Sequence, residues 1–117
     1  MKLKSVHRIY HALQYSVTGM KVAFSGHEAF RQELFLTVLA VPLAFYIGES
    51  VIELLLLIGS LIIVLVVELL NSAVETTIDR ISSDRHPLSG QAKDLGSAAV
   101  MIALVWAAIT WMGIAVL

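Results

Sequence analysis

Residues 51–81, VIELLLLIGSLIIVLVVELLNSAVETTIDRI, decide how this chain is read. From Val51 to Val67 the run is almost wholly apolar, and Glu68, Asn71, Glu75 and Asp79 then follow at intervals of three, four and four residues. Those intervals stack the four polar groups on one face of a helix. A carboxylate near mid-bilayer costs about 2.5 to 3.5 kcal/mol even on a lenient insertion scale, so the stripe is the first candidate for chemistry. The helix reads as a membrane span that continues to about Ile81 as an amphipathic extension.

The rest of the chain agrees with a membrane setting. Its 117 residues are 58% hydrophobic and only 15% charged, with a mean hydropathy of +0.85. Such a composition is too apolar for an ordinary soluble domain. A chain of this length has room for about three spans of about 20 residues each. A solvent-filled site between so few helices calls for oligomerisation. The net charge of −1 leaves no basic excess to neutralise phosphates, which argues against a nucleic-acid partner. Lys2, Lys4, Arg8, Lys21 and Arg31 lie before residue 32, and Arg80, Arg85 and Lys93 lie between 80 and 93. By the positive-inside rule the N-terminus and the 80–93 segment are cytoplasmic and the C-terminus is outside. Cysteine is absent, which excludes disulfides and thiolate metal sites. The first 30 residues lack the unbroken apolar core of a cleaved signal peptide.

At the N-terminus, Ile9, Tyr10, Leu13, Val17 and Met20 recur at helical spacing with Arg8, His11, Gln14 and Thr18 between them. The pattern predicts an amphipathic helix over about 5–25 lying on the membrane surface, interrupted at Gly19 and at Ser25 and Gly26. Ser25 or Gly26 would start the next helix, with Glu28 in its first turn where the helix dipole favours an anion. That helix is expected over 28–47. Its span runs from Phe30 to Ile47, Arg31, Gln32 and Glu33 mark its cytoplasmic end, and Pro42 bends it. Gly48, Glu49 and Ser50 form an outer turn.

After the 51–81 helix the composition turns polar from Ser82 to Gln91, a loop in which His86 is extended because Pro87 follows. The last helix is expected over 90–117, beginning near Ser89 or Gly90. Its apolar part, Leu95 to Leu117, is about 34 Å long. Ala92, Gly96, Ala99, Ala103 and Ala107 form a stripe of small residues suited to close helix packing. The whole chain, 1–117, reads as one all-α membrane domain.

The polar groups nominate a site at the cytoplasmic side: Glu68, Asn71, Glu75 and Asp79 with Lys93 and Asp94. Glu68 and Glu75 are two turns apart and cannot both bind one small ion, so they suit different tasks. The deeper suits a general base and the shallower a hard-cation ligand. Magnesium is the natural cation for oxygen ligands completed by phosphate, and Lys93 with Arg85 could balance remaining phosphate charge. Phosphoryl transfer follows as the reading, although the chain carries neither a GxxxxGK[ST] loop nor the protein-kinase signatures. Asp79 is equally an ion-pair partner for Arg80 or Arg85. The four histidines are not read as a transition-metal site. An oligomeric pore or proton relay is the rival from a different class, and it would need ionisable groups aligned through the membrane. Here they cluster on one side.

Three stretches then resemble a known family: AFRQE at 29–33, VELLNSAVETTIDR at 67–80 and LSGQAKDLGSAAV at 88–100. They are similar, in the same order, to the small prokaryotic diacylglycerol kinases, and AFRQE resembles the Gram-negative branch rather than the undecaprenol kinases. The resemblance implies a homotrimer in the bacterial inner membrane, with a surface helix and three spans per subunit. It implies transfer of the γ-phosphate of MgATP to sn-1,2-diacylglycerol, giving phosphatidic acid. By the same resemblance Glu68 is the base and Glu75 with Glu28 holds the metal. Arg8, Tyr15, Glu28, Asn71, Glu75, Asp84, Arg85, His86, Lys93 and Asp94 contact the nucleotide, and Phe30, Arg31, Gln32 and Ser97 lie near lipid. One position departs from the family pattern. The family's glutamate three residues before the Phe of AFRQE is His27 here, with Glu28 beside it, and either could take the second ligand place.

Overall fold

A computed structural model describes residues 2–117. These residues form four α-helices: α1 (Lys2–Gly26), α2 (Glu28–Ile47), α3 (Val51–Ile81) and α4 (Pro87–Val116). The last three are each long and apolar enough to cross a membrane. α3 packs most extensively on α4, then on α2, while α1 rests mainly against α2.

Helical periodicity explains what is buried. Along α3, Leu57, Ser60, Val64, Glu68 and Ser72 are buried at steps of three or four residues. Facing them on α4 are Ala103, Ala107 and Thr110. Val64, Ala103 and Ala107 make a common core with Val67 packed on it, small side chains that let the two backbones approach closely. Of the expected small stripe, Ala99 falls outside and is exposed, and Val100 is the half-buried neighbour. The three-residue step that keeps such a series on one face of a 3.6-residue helix falls between Val100 and Ala103 rather than between Gly96 and Ala99.

Towards the 48–50 turn, called here the far end, every buried polar group is spent on backbone. Leu57, fully buried, has a carbonyl that accepts from the Ser60 hydroxyl at 2.8 Å and from the Trp111 indole N–H at 3.2 Å. Thr110 donates to the Trp106 carbonyl at 2.8 Å. Trp111 thus ties α4 to α3. Ser50 caps α3, accepting from the Glu53 amide at 3.1 Å. Pro42 sits inside α2 without ending it.

Three boundaries differ from expectation. α1 runs unbroken through Gly19 and on to Gly26, with the Ser16, Thr18 and Ser25 hydroxyls donating to carbonyls one turn back instead of competing to cap it. His27, not Ser25 or Gly26, caps α2, with φ −128° and ψ 104°. The Arg31 guanidinium closes this one-residue corner, donating to the carbonyls of Phe24 at 2.9 Å and Ser25 at 3.2 Å. A cation on the last carbonyls of a helix does the work usually given to glycine. Finally, α4 begins at Pro87 rather than near Ser89 or Gly90. His86 is extended, as Pro87 requires, and its Nδ1 accepts from the Leu88 amide at 3.1 Å. Proline fits the first helical position because its missing N–H would have had no partner there.

Candidate functional site

At the opposite, charged end of the bundle α2 begins, α3 ends and α4 begins, and there the three helices leave a cleft of about 410 Å³. Glu28 and Glu33 reach it from α2, Glu68, Asn71 and Glu75 from α3, and Ser97 and Val100 from α4, with Gly26, His27 and Ala29 at the corner. The folding of each element dictates this convergence. Glu68 belongs to the buried stripe of α3 and is 5% exposed. Asn71 and Glu75 follow one and two turns later, both half-buried, and Glu28 opens α2 directly after the His27 corner.

Asn71 is the hub. Its Nδ2 donates to Glu75 Oε1 at 3.3 Å, and it lines the same cleft as the Glu68 carboxyl one turn before it on α3. Its Oδ1 is buried with no protein partner. The space it occupies exists because residue 96 is glycine: a Cβ there would run into the Asn71 carboxamide. Glu33 Oε2 is likewise buried and unpartnered. An unpaired buried polar oxygen is costly, so two in one cleft point to groups waiting for a ligand or a hydrogen.

Four carboxyl groups and an amide make an all-oxygen donor set suited to a hard cation. Among the described residues no three His, Asp or Glu groups converge closely enough to hold a metal ion alone. Such a site fits magnesium, which is commonly held by one or two carboxylates and completed by substrate phosphates and water.

The other expected site residues lie apart from this cleft. Lys93 Nζ pairs with Asp79 Oδ1 at 3.2 Å, so the partner of Asp79 is Lys93 rather than Arg80 or Arg85. Both line a second cleft of about 530 Å³ with Asp84, Arg85, His86 and Pro87. Asp94 is exposed and lines neither cleft. Arg8 sits on the exposed half of α1 with Ser5, Ile9 and Ala12. Tyr15 stacks on His11, and His11 also meets His7 edge to face at 4.9 Å, so these two histidines do share a helix face. Phe30 is fully buried beneath α1, where burial of a ring stabilises by about 1.5 to 3 kcal/mol. Arg31 is held at the corner, and Gln32 donates to Glu28 Oε1 at 3.4 Å.

Glu33 is the residue that sequence reading undervalued, as a mere marker of the membrane boundary. Its one signal was the step of three from Phe30, which places it on the inward face of α2.

Three apolar helices crossing end to end with an acidic, oxygen-lined cleft at one end define an integral membrane protein with the makings of an enzyme. The family model described as prokaryotic diacylglycerol kinase matches residues 14–115, and the chain belongs to that family. Three relatives share the name diacylglycerol kinase. The protein of Haemophilus influenzae is 49% identical over 113 residues, covering 97% of this chain and 96% of its own. That of Pseudomonas aeruginosa is 49% identical over 104 residues, 89% of this chain and 85% of its own. That of Helicobacter pylori is 38% identical over 110 residues, 94% of this chain and 86% of its own.

Proposed function

We propose a division of labour for the reaction that family membership brings, the ATP-dependent phosphorylation of diacylglycerol to phosphatidic acid. The observation that carries it is the meeting of Glu28, Glu68, Asn71 and Glu75 in one cleft at the charged end of three apolar helices.

Glu68, the most buried carboxyl of the cleft, is the general base. It takes the proton of the lipid hydroxyl as that oxygen bonds to the γ-phosphorus. The bond from phosphorus to the bridging oxygen breaks, and ADP leaves with the electron pair. Asn71 orients Glu75 through its carboxamide and stands beside Glu68 on the cleft wall. Glu75 and Glu28, with His27 as the alternative to Glu28, would hold magnesium, which when bound neutralises charge on the transferring phosphoryl group. Ser97 and Gln32 lie where the acceptor must enter, Ser97 on the cleft wall and Gln32 beside Glu28.

The nucleotide would occupy the second cleft, where Asp84, Arg85, His86 and Lys93 offer donors and counter-charge. Arg8, Tyr15 and Asp94 reach neither cleft within one subunit. Their distance, together with the large apolar surface left exposed on all four helices, supports a homotrimer in which neighbours complete each site. The Lys and Arg distribution supports an inner-membrane protein with the N-terminus and both clefts cytoplasmic, the C-terminus periplasmic, and α1 along the surface. All of 1–117 then forms a single membrane domain.

Offering diacylglycerol and undecaprenol together with radiolabelled ATP to the protein in detergent tests the reading. Label should pass to diacylglycerol, and preferential labelling of undecaprenol would overturn the acceptor.

A further inference from the structure

On the polar side of α1, away from both clefts, His7 and His11 stand one helical turn apart, with ring centres 4.9 Å from each other and ring planes at 90°. At about 100° per residue both lie across the helix from Ile9, Leu13 and Met20, on the side that water reaches when the apolar face rests on a membrane. Both residues are exposed, and among the described residues no hydrogen bond or ion pair engages either ring. α1 carries no aspartate or glutamate that could claim them.

The separation of the rings is what a shared ion would impose. A tetrahedral ion with metal–nitrogen bonds of about 2.0 to 2.1 Å sets two imidazole centres about 5 Å apart, close to the distance already present. Aiming one nitrogen of each ring at a common point needs only rotation about χ2, a broad torsion for histidine. Tyr10 meets His11 edge-on at 5.9 Å and Tyr15 stacks on it at 6.4 Å, so its ring is packed on its own helix. Lys4 and Arg8 flank the pair on long stems that let their charges swing into water, where salt screens them.

We propose that His7 and His11 form a two-imidazole chelate for a divalent transition-metal ion of the zinc or copper class, its remaining positions filled by water. Imidazole suits zinc, copper and nickel, whereas magnesium takes oxygen, so this site and the acidic cleft sort cations by donor type. The structural effect is local. Residues 2–22 of α1 are exposed throughout, so a clasp across one turn holds helix where tertiary packing does not. Arg8 lies inside the clasped turn, and occupancy fixes the backbone that carries it.

The test uses the full chain, without an affinity tag, in bilayers of zwitterionic lipid with magnesium in excess to fill the acidic cleft. Zinc titrated by calorimetry should bind at one ion per chain. His7→Ala and His11→Ala should each weaken that binding by at least about tenfold, and the double variant should weaken it little further, since one imidazole cannot chelate. His11→Ala combined with Ala12→His keeps the histidine count but turns the ring about 100° round the helix, and should bind zinc as poorly as His11→Ala alone. Copper(II) as a second probe should show two coordinated nitrogens by electron paramagnetic resonance, and one fewer in either single variant. Zinc affinity unchanged in a single variant, or restored by adding Ala12→His, overturns the chelate. So does zinc binding that falls with Glu75→Gln and not with the histidine variants, because the ion then sits in the cleft. A copper spectrum that the histidine variants leave unaltered overturns it as well.

Discussion

The two ends of the helical bundle treat buried polar atoms in opposite ways. At the far end Ser60, Thr110 and Trp111 all hand their hydrogens to backbone carbonyls, and among the described residues no buried polar side-chain atom there is left without a partner. At the charged end the same α3 and α4 bury an Asn71 oxygen, and α2 a Glu33 oxygen, that no donor satisfies. Folding alone would favour the first arrangement everywhere, since an unsatisfied buried group costs about 1 to 3 kcal/mol. One half of the bundle is therefore built for cohesion and the other holds back bonding capacity for what it binds.

The sharpest way to break that contrast is at Glu68. Glu68→Gln should lower phosphatidic acid formation by about 10²- to 10⁴-fold, measured as lipid-bound label, while circular dichroism and the oligomeric state stay those of the wild type. Gly96→Ala comes next. Its methyl group must displace the Asn71 carboxamide from Glu75, so kcat should fall by about 10- to 100-fold with only a small change in thermal stability. A variant as active as wild type would show that Asn71 need not sit where it does. At the far end the order of effects reverses. Trp111→Phe removes the indole N–H that binds the Leu57 carbonyl and should cost about 1 kcal/mol in denaturation, with activity per folded enzyme unchanged. The smallest change expected is Asp79→Asn. The Lys93 pair is largely exposed, so stability should move by less than about 1 kcal/mol, and only the KM for ATP should respond if Lys93 serves the nucleotide.

Much of this contrast was legible in the sequence, for a definite reason. Runs such as Val51–Val67 are long, apolar and uninterrupted, and the steps between Glu68, Asn71 and Glu75 fix a face of one helix without reference to anything else. What one helix does to another was not legible. Glu33 looks like a boundary charge until α2 is laid against α3, and Lys93 selects Asp79 only once α4 has folded back alongside α3. Arg31 shows the same limit. Its place in the AFRQE stretch does not announce that its guanidinium closes the end of a helix seven residues behind it. The choice of Val100 over Ala99 on α4 is subtler, because a step of three and a step of four from Gly96 both stay near one face and only the facing helix decides between them.

The corner at His27 carries a mechanical consequence. With a single non-helical residue between α1 and α2, and Arg31 reaching back over it, the chain has no slack with which to absorb a change in length. Inserting or deleting one residue there would turn α1 about its own axis by about 100°. Ile9, Leu13 and Met20 would rotate away from whatever surface now receives them, while α2, α3 and α4 kept their places. The corner works as a keyway: it sets the phase between a helix that lies outside the bundle and a cleft that lies within it.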